Sequence, residues 1–227
     1  MDFIVTDDCL RLGLRAGAVL FRNLHVAEAP AGLRAEIAAE AAAIARRYAD
    51  AAQIRSLPEV VHFQNILRKV GVNPRKEQPS VERLLALAHK RGDLPAINNL
   101  VDAYNLASVR SLCSMGAHDL DRIALPVSLR LLTGAESFTP LGRTSTVSVV
   151  RGEYGYVDAQ ERVLCRLDLL QADFSKVTHA TRNALLIIEG TAEHPARALD
   201  RAFTAAVDLI TLHCGGTAES SPPAASR

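Results

Sequence analysis

The sequence contains no tryptophan, few other aromatic residues and no apolar stretch near the roughly 20 residues of a membrane-spanning helix. The acidic N-terminus has no positively charged leader, so we expect neither a secretion signal nor a membrane partner. The four cysteines occur singly and lack the short spacing of zinc sites and redox dithiols. Phosphate loops, dinucleotide glycine fingerprints and Gly-x-Ser-x-Gly elbows are also missing. We therefore expect a cytoplasmic protein with reduced thiols, no metal and no common cofactor.

The chain also has no excess of charge of either sign, because 26 Lys and Arg residues face 25 Asp and Glu residues. This balance excludes a uniformly basic nucleic-acid coat, so any contact with RNA must be focused on a local patch. Seven Lys and Arg residues concentrate between Arg68 and Arg91, with Glu77 and Glu82 as the acids. The stretch is either a solvated helix face or a phosphate-facing surface. Our candidates for RNA contact are Arg68, Lys69, Arg75, Lys76 and Arg83.

Apolar residues recur at helical spacing in the first half of the chain. Helices are predicted from near Leu33, Pro58, Ser80 and Asn98, with short strands near Ile4 and Val19. Ser80 is predicted as an N-cap, because a side-chain oxygen at that position accepts from the first free backbone N–H groups. No internal repeat is present.

Beyond the fourth helix the pattern becomes strand-like over most of residues 127–190. Residues 144–150 are rich in β-branched side chains, residues 153–158 and 162–167 suggest a hairpin, and residues 183–190 form a continuous apolar run typical of a strand covered on both faces. A last helix is predicted from Pro195 to the Gly215-Gly216 pair. These patterns predict an α+β fold with a mixed or antiparallel sheet in the C-terminal half, packed with helices from the N-terminal half and a C-terminal helix.

The fourth helix, residues 98–113, is apolar on nearly every side except for one narrow stripe. Asn98, Asp102 and Asn105 form that stripe. A buried amide or carboxylate without a partner costs about 1–3 kcal/mol, so the stripe must meet protein groups, water or a ligand. The residues that follow, 117–121, read as a turn that places His118 between two aspartates. In the functional interpretation, His118 is a general base or a group that orients water. In the structural interpretation, the two aspartates simply cap the next element and His118 has no chemical role.

Two further polar clusters have both a functional and a structural interpretation. Thr181 and Asn183 stand where a loop enters the buried strand of residues 183–190, and such groups bind a small ligand or make ordinary strand-entry hydrogen bonds. Glu153 follows Gly152 at the start of the predicted hairpin. Cys113, inside the apolar helix, is interpreted as a small buried hydrophobe.

Four segments together resemble the B-three/B-four domain family, which includes the editing domain of the phenylalanyl-tRNA synthetase beta subunit. They are NLVDAYN (99–105), GAHDLDRI (116–123), GEYGYVD (152–158) and TRNALL (181–186). VGVNP (70–74) and PSVERLL (79–85) are similar to the stand-alone members. The resemblance covers roughly residues 60–212. It implies a family domain over residues 56–216, preceded by its strand and helix part in residues 1–55. The Ser-, Pro- and Ala-rich composition of residues 217–227 predicts a disordered tail.

The resemblance implies an aminoacyl-tRNA deacylase that acts in trans on the acceptor end, with a positioned water and without a metal. Carried onto this chain, Asn105 and Asp102 would line the pocket floor, Thr181 and Asn183 would contact the substrate or the water, and Glu153 would be a partner of the substrate ammonium group or lie behind it. Our leading hypothesis is that Asn105, His118 and Thr181 organise water and substrate. The candidates for substrate binding are Asn98, Asp102, Gly116, Glu153 and Asn183.

One departure from the synthetase motif concerns its histidine. Where that motif has a His before its Ala-x-Asp-Leu-Asp turn, this chain has Gly116, and its own His118 lies two residues later. The alternatives are a non-catalytic module that binds tRNA or an amino acid, and a hydrolase of another small aminoacyl compound. A monomer is compatible with each of these hypotheses.

Overall fold

The structure, a computed structural model, describes residues 2–195 and 197–221. In this part of the chain seven α-helices pack with nine β-strands. The helices are α1 (Asp7–Leu12), α2 (Ala31–Arg47), α3 (Ala51–Arg55), α4 (Pro58–Lys69), α5 (Ser80–Arg91), α6 (Asn99–Ser111) and α7 (Ala198–Cys214). The strands are β1 (Phe3–Val5), β2 (Leu14–Arg22), β3 (Ser114–Asp119), β4 (Val127–Leu131), β5 (Tyr154–Val157), β6 (Val163–Arg166), β7 (Leu170–Gln171), β8 (Ala184–Thr191) and β9 (Thr217–Ser221).

The strands form two sheets, ordered β1-β4-β5-β6-β7 and β3-β8-β2-β9. β1 and β4 are parallel and the other paired strands are antiparallel, so the predicted α+β class with a mixed sheet is confirmed. The sheets are not confined to the C-terminal half, however. β2 lies inside the second sheet between β8 and β9, so residues of the 1–55 segment and of the 56–216 segment share one sheet.

The second sheet is the middle layer of three. Leu185 and Ile187 of β8 belong to the core between the two sheets, whereas Leu186 and Ile188 belong to the core beneath the helices. All eight residues of β8 are buried, which confirms the strand covered on both faces. No helix among residues 2–195 and 197–221 is both long and apolar enough to cross a membrane.

Several local predictions are wrong. Residues 144–150 form no strand: all but Val149 are exposed, and Val147 makes one isolated bridge to Phe138. β-Branched residues favour strands where a sheet face is buried, and here there is none. Ser80 is the first residue of α5 and Pro79 its N-cap, while residues 117–119 continue β3 and do not begin a turn.

The prediction of a disordered tail is also wrong for Thr217–Ser221. These residues pair with β2 from Arg22 to Ala18 as the edge strand β9. The free edge of β2 offers backbone hydrogen bonds that composition alone does not reveal. Residues 222–227 lie outside the described residues.

Candidate functional site

A pocket of about 520 Å³ lies between α5, α6, β3 and the turn that joins β6 to β7. Its size and largely apolar walls are typical of a site for a small organic ligand. The polar side chains that line it are Gln78, Ser80, Arg83, Lys90, Tyr104, Asn105, His118, Tyr156, Asp168 and Gln171.

Asp168 is the acidic side chain that lines this pocket within the described ranges. Ser80 Oγ donates a hydrogen bond of 2.9 Å to Asp168 Oδ2, and the Ser114 hydroxyl donates to the same oxygen. Leu167 and Asp168 both have positive φ, 57° and 55°, a left-handed conformation that costs roughly 1–2 kcal/mol for a residue other than glycine. Desolvation raises the pKa of Asp168 to about 6. Strained backbone and a desolvated acid together are typical of a functional site.

A second carboxyl group lies behind Asp168. The Tyr156 hydroxyl donates a hydrogen bond of 2.7 Å to Oε2 of Glu189, which is fully buried. Burial, followed by the charge of Asp168, raises the pKa of Glu189 well above its usual range. Tyr156, which lines the pocket, joins Glu189 to it.

His118 contributes an uncharged imidazole to the pocket wall. The side chain is 1 % exposed, and Nδ1 lies 3.0 Å from Ser175 Oγ. Nε2 has no hydrogen-bond partner among residues 2–195 and 197–221. Burial lowers the pKa of His118 to about 3, so the ring accepts or donates a hydrogen bond without carrying charge at neutral pH.

Asn105 and Gly116, both predicted to contact substrate or water, also line the pocket. Asn105 is 7 % exposed, and its side-chain amide makes no hydrogen bond within the described part of the chain. A Cβ atom on Gly116 would meet nothing within 4 Å, so the wall is open there. The pocket thus gathers Asn105, Gly116 and His118.

Thr181 and Asn183 do not line the pocket. Thr181 Oγ1 donates a hydrogen bond of 2.6 Å to Asp119 Oδ2 and accepts one from the Thr178 backbone N–H. Asn183 donates to Asp121 and accepts from the Asn23 backbone N–H. Their side chains tie the loop before β8 to the end of β3, which is the structural alternative for this cluster.

Asn98, Asp102 and Glu153 also lie outside the pocket lining. Asn98 caps α6 by accepting from the Val101 N–H, and Asp102 accepts from the Ile97 N–H while Arg34 lies 3.6 Å away. Glu153 binds the Arg166 guanidinium through both oxygens, at 2.5 and 2.6 Å. Asn98 and Glu153 are therefore engaged by protein groups, whereas Asp102 Oδ2 accepts no hydrogen bond within the described residues and has only the nearby Arg34 guanidinium. Of the polar stripe on α6, Asn105 is the residue that lines the pocket.

The predicted basic residues are dispersed around the pocket. Arg83 lines it and is joined there by Lys90, which projects from the same helix. Arg68 donates to Asn65 and Gln64, and Lys69 donates to the Leu12 carbonyl oxygen. Arg75 and Lys76 are exposed on the connection between α4 and α5. Of the five residues predicted to contact RNA, Arg83 is therefore the one that lines the pocket.

Sequence reasoning missed the residues that reach the pocket from the sheets, Tyr156, Asp168 and Gln171. One signal was available: Asp168 follows directly after the predicted strand of residues 162–167, a place where loops carry functional side chains. Among residues 2–195 and 197–221 no group of three or more His, Cys, Asp or Glu side chains is arranged to hold a metal ion.

Comparisons with known proteins agree with the resemblance in the sequence. No curated protein matches the chain. Among solved structures it is similar to an N-terminal fragment of the phenylalanyl-tRNA synthetase beta subunit from Pyrococcus horikoshii, with 13 % identity and a TM-score of 0.45. That match covers 95 % of this chain and 49 % of the other, so the chain spans about half the length of that fragment. The family model described as the B3/4 domain matches residues 63–215, and the chain belongs to this family.

Proposed function

We propose that the pocket hydrolyses the ester bond of a mischarged aminoacyl-tRNA. The observation that carries this proposal is the convergence, in one pocket, of the unpaired Asn105 amide and the neutral His118 ring with Arg83 and Lys90. Apolar walls suit an amino-acid side chain, and cationic side chains suit the phosphates of the acceptor end. The resemblance to the synthetase editing domain implies the same substrate class.

In this reaction Asn105 and His118 position the reactants. The Asn105 amide donates a hydrogen bond to the ester carbonyl oxygen, and His118 Nε2 accepts one from the attacking water. The water oxygen adds to the carbonyl carbon, the ester C–O bond breaks, and the ribose oxygen leaves with the proton that the water gives up. Donors fixed where negative charge develops lower the barrier, because they need no reorganisation during the reaction.

Thr181, Asn183 and Glu153 have no part in this scheme, because their side chains are held by protein groups outside the pocket. They support the fold around it. Asn98 and Asp102 likewise set the start of α6, and through it the place of Asn105.

One observation favours a second candidate, a module that binds the aminoacyl end without cleaving it. An imidazole whose pKa is lowered to about 3 takes up a proton poorly, so His118 is a weak general base. Gly116, which stands where the synthetase motif has its histidine, supplies no alternative base.

Deacylation of a panel of mischarged tRNAs tests the proposal, with wild type, Asn105→Ala and His118→Ala compared. We expect chelator-resistant release of a restricted set of amino acids, and losses on the order of tenfold to a thousandfold in either variant. If none of the three proteins releases an amino acid but all still bind tRNA, the binding module is established instead.

The RNA contact has a matched control on α5. Lys90 lines the pocket, whereas the neighbouring Arg91 is exposed outside it. We expect Lys90→Ala to weaken tRNA binding and to reduce its dependence on salt, and Arg91→Ala to change both less. Equal effects of the two substitutions would mean that charge alone, without the pocket, attracts the tRNA.

A further inference from the structure

Asp168 is a half-buried carboxylate without a cationic partner, unlike most of the fully buried ones. Five of the seven buried carboxylates among the described residues each lie within salt-bridge distance of an arginine, which compensates for the loss of hydration. These pairs are Glu82–Arg55, Asp102–Arg34, Glu136–Arg130, Glu153–Arg166 and Asp158–Arg162. The other two carboxylates, Asp119 and Glu189, accept hydrogen bonds from Thr181 and Tyr156.

Asp168 forms no salt bridge within residues 2–195 and 197–221, although it lines the pocket. Its surroundings hold the carboxylate in place, since Ser80 and Ser114 both donate to Oδ2 and two consecutive left-handed residues place it. Nothing in this arrangement neutralises the charge. A fixed, unpaired carboxylate on a cavity wall is complementary to a cation that enters the cavity.

Two other side chains mark the same cavity as a ligand site. Asn105 is 7 % exposed and its side-chain amide makes no hydrogen bond within the described ranges. His118 Nε2 is a buried atom that has no hydrogen-bond partner there. Buried polar atoms without partners are rare unless a ligand or water completes them. The Asn105 amide, His118 Nε2 and the Asp168 carboxylate therefore line the same cavity.

The spacing along β3 decides which cation fits. Ser114, which contacts Asp168, and His118 are four residues apart on this strand, and at about 3.3 Å per residue their Cα atoms lie roughly 13 Å apart. Gly116, between them, leaves the wall open. A ligand that spans this distance carries its cation well away from the group bound near His118.

We propose that Asp168 binds the side-chain ammonium group of the amino acid, so that the pocket takes amino acids with a basic, lysine-like side chain. This inference rests on the proposed function for placing the ester near Asn105 and His118. An α-ammonium is only two bonds from the ester carbonyl carbon, too near to reach Asp168. A lysine side chain extends six bonds of roughly 1.5 Å from that carbon, about 7 Å in projection, which leaves room for a hydrogen bond at each end.

The test is binding of free amino-acid amides to the full chain, measured by calorimetry without tRNA. L-lysinamide and L-norleucinamide have nearly the same shape, and only lysinamide has the side-chain ammonium. We expect lysinamide to bind about tenfold to a hundredfold more tightly, since a charge-assisted hydrogen bond is lost in norleucinamide. L-tyrosinamide, whose neutral hydroxyl would also donate to a carboxylate, is the third probe.

Two variants locate the effect. Asp168→Asn keeps the shape and should remove the preference for lysinamide, whereas Asp208→Asn makes the same change at an exposed position of α7 outside the pocket and should keep the preference. Equal binding of lysinamide and norleucinamide by wild type, or tighter binding of tyrosinamide, would overturn the proposal whether or not the variants fold.

The outcome is separable from that of the proposed function. A preference for lysinamide without deacylation of any tRNA would support the ammonium site and refute the hydrolase. Deacylation restricted to tRNAs that carry neutral amino acids would support the hydrolase and refute the ammonium site.

Discussion

The buried neutral imidazole of His118 makes the stability of this protein depend on pH in a calculable way. The folded chain takes up a proton on this ring only near pH 3, whereas the unfolded chain does so near the ordinary pKa of 6.5. The contribution of His118 to stability is therefore complete above pH 6.5 and falls as the pH drops towards 3. With the full shift of the pKa, protonation of the ring stabilises the unfolded state by about 2 kcal/mol at pH 5 and by only a few tenths of a kcal/mol at pH 7.

Asp168 acts in the opposite direction. Its pKa is raised to about 6 in the folded state, so the folded chain keeps a proton that the unfolded chain has released, and stability falls as the pH rises from 3.8 through 6. The wild-type curve alone therefore mixes two effects. The difference between wild type and His118→Gln isolates the imidazole, because both proteins retain Asp168.

Urea unfolding of the two proteins at pH 7 and pH 5 measures this difference. We expect wild type to lose about 2 kcal/mol more than His118→Gln between the two pH values, whatever their absolute stabilities. Ser175→Ala is the control, since it removes the hydrogen-bond partner of Nδ1 but keeps the ring, and it should follow wild type. Parallel curves for wild type and His118→Gln would refute the reasoning that burial keeps this histidine neutral.

Three further substitutions distinguish residues that stabilise the fold from a residue that lines the pocket. Thr181→Val leaves Asp119 without its hydroxyl donor and should lower the free energy of unfolding by about 1–3 kcal/mol, seen in urea melts, with deacylation by the folded protein retained. Gly116→Leu should fill the open wall and abolish deacylation while the melting temperature stays close to that of wild type. Gly216→Ala should destabilise the protein by more than about 1 kcal/mol, because its φ of +80° is left-handed and the new Cβ overlaps the Arg22 carbonyl oxygen. Full deacylation by Gly116→Leu, or unchanged melts for either other variant, would contradict these assignments.

Local sequence patterns were sufficient for the long elements. The spacing of apolar residues predicted α2, α4 and α6, and a continuous apolar run predicted β8. Each of these elements buries much of its surface, so its buried positions are apolar and the pattern is visible in the sequence. Residues 144–150 and β9 were misjudged for the same physical reason. A β-branched stretch without a neighbouring strand stays irregular, and a small, polar stretch beside the free edge of β2 becomes a strand.

The sequence by itself determined the family, the α+β class and four residues that line the pocket: Arg83, Asn105, Gly116 and His118. It also placed polar residues on α6, but it did not determine which of them are used by the fold. Only the tertiary structure decided that Asn98 and Asp102 accept hydrogen bonds from backbone N–H groups, that Thr181 donates one to Asp119, and that Asp168 lines the cavity without a salt bridge in the described part of the chain. The physical reason is that a polar side chain acquires its role from the partners that reach it, and those partners come from segments distant in the chain.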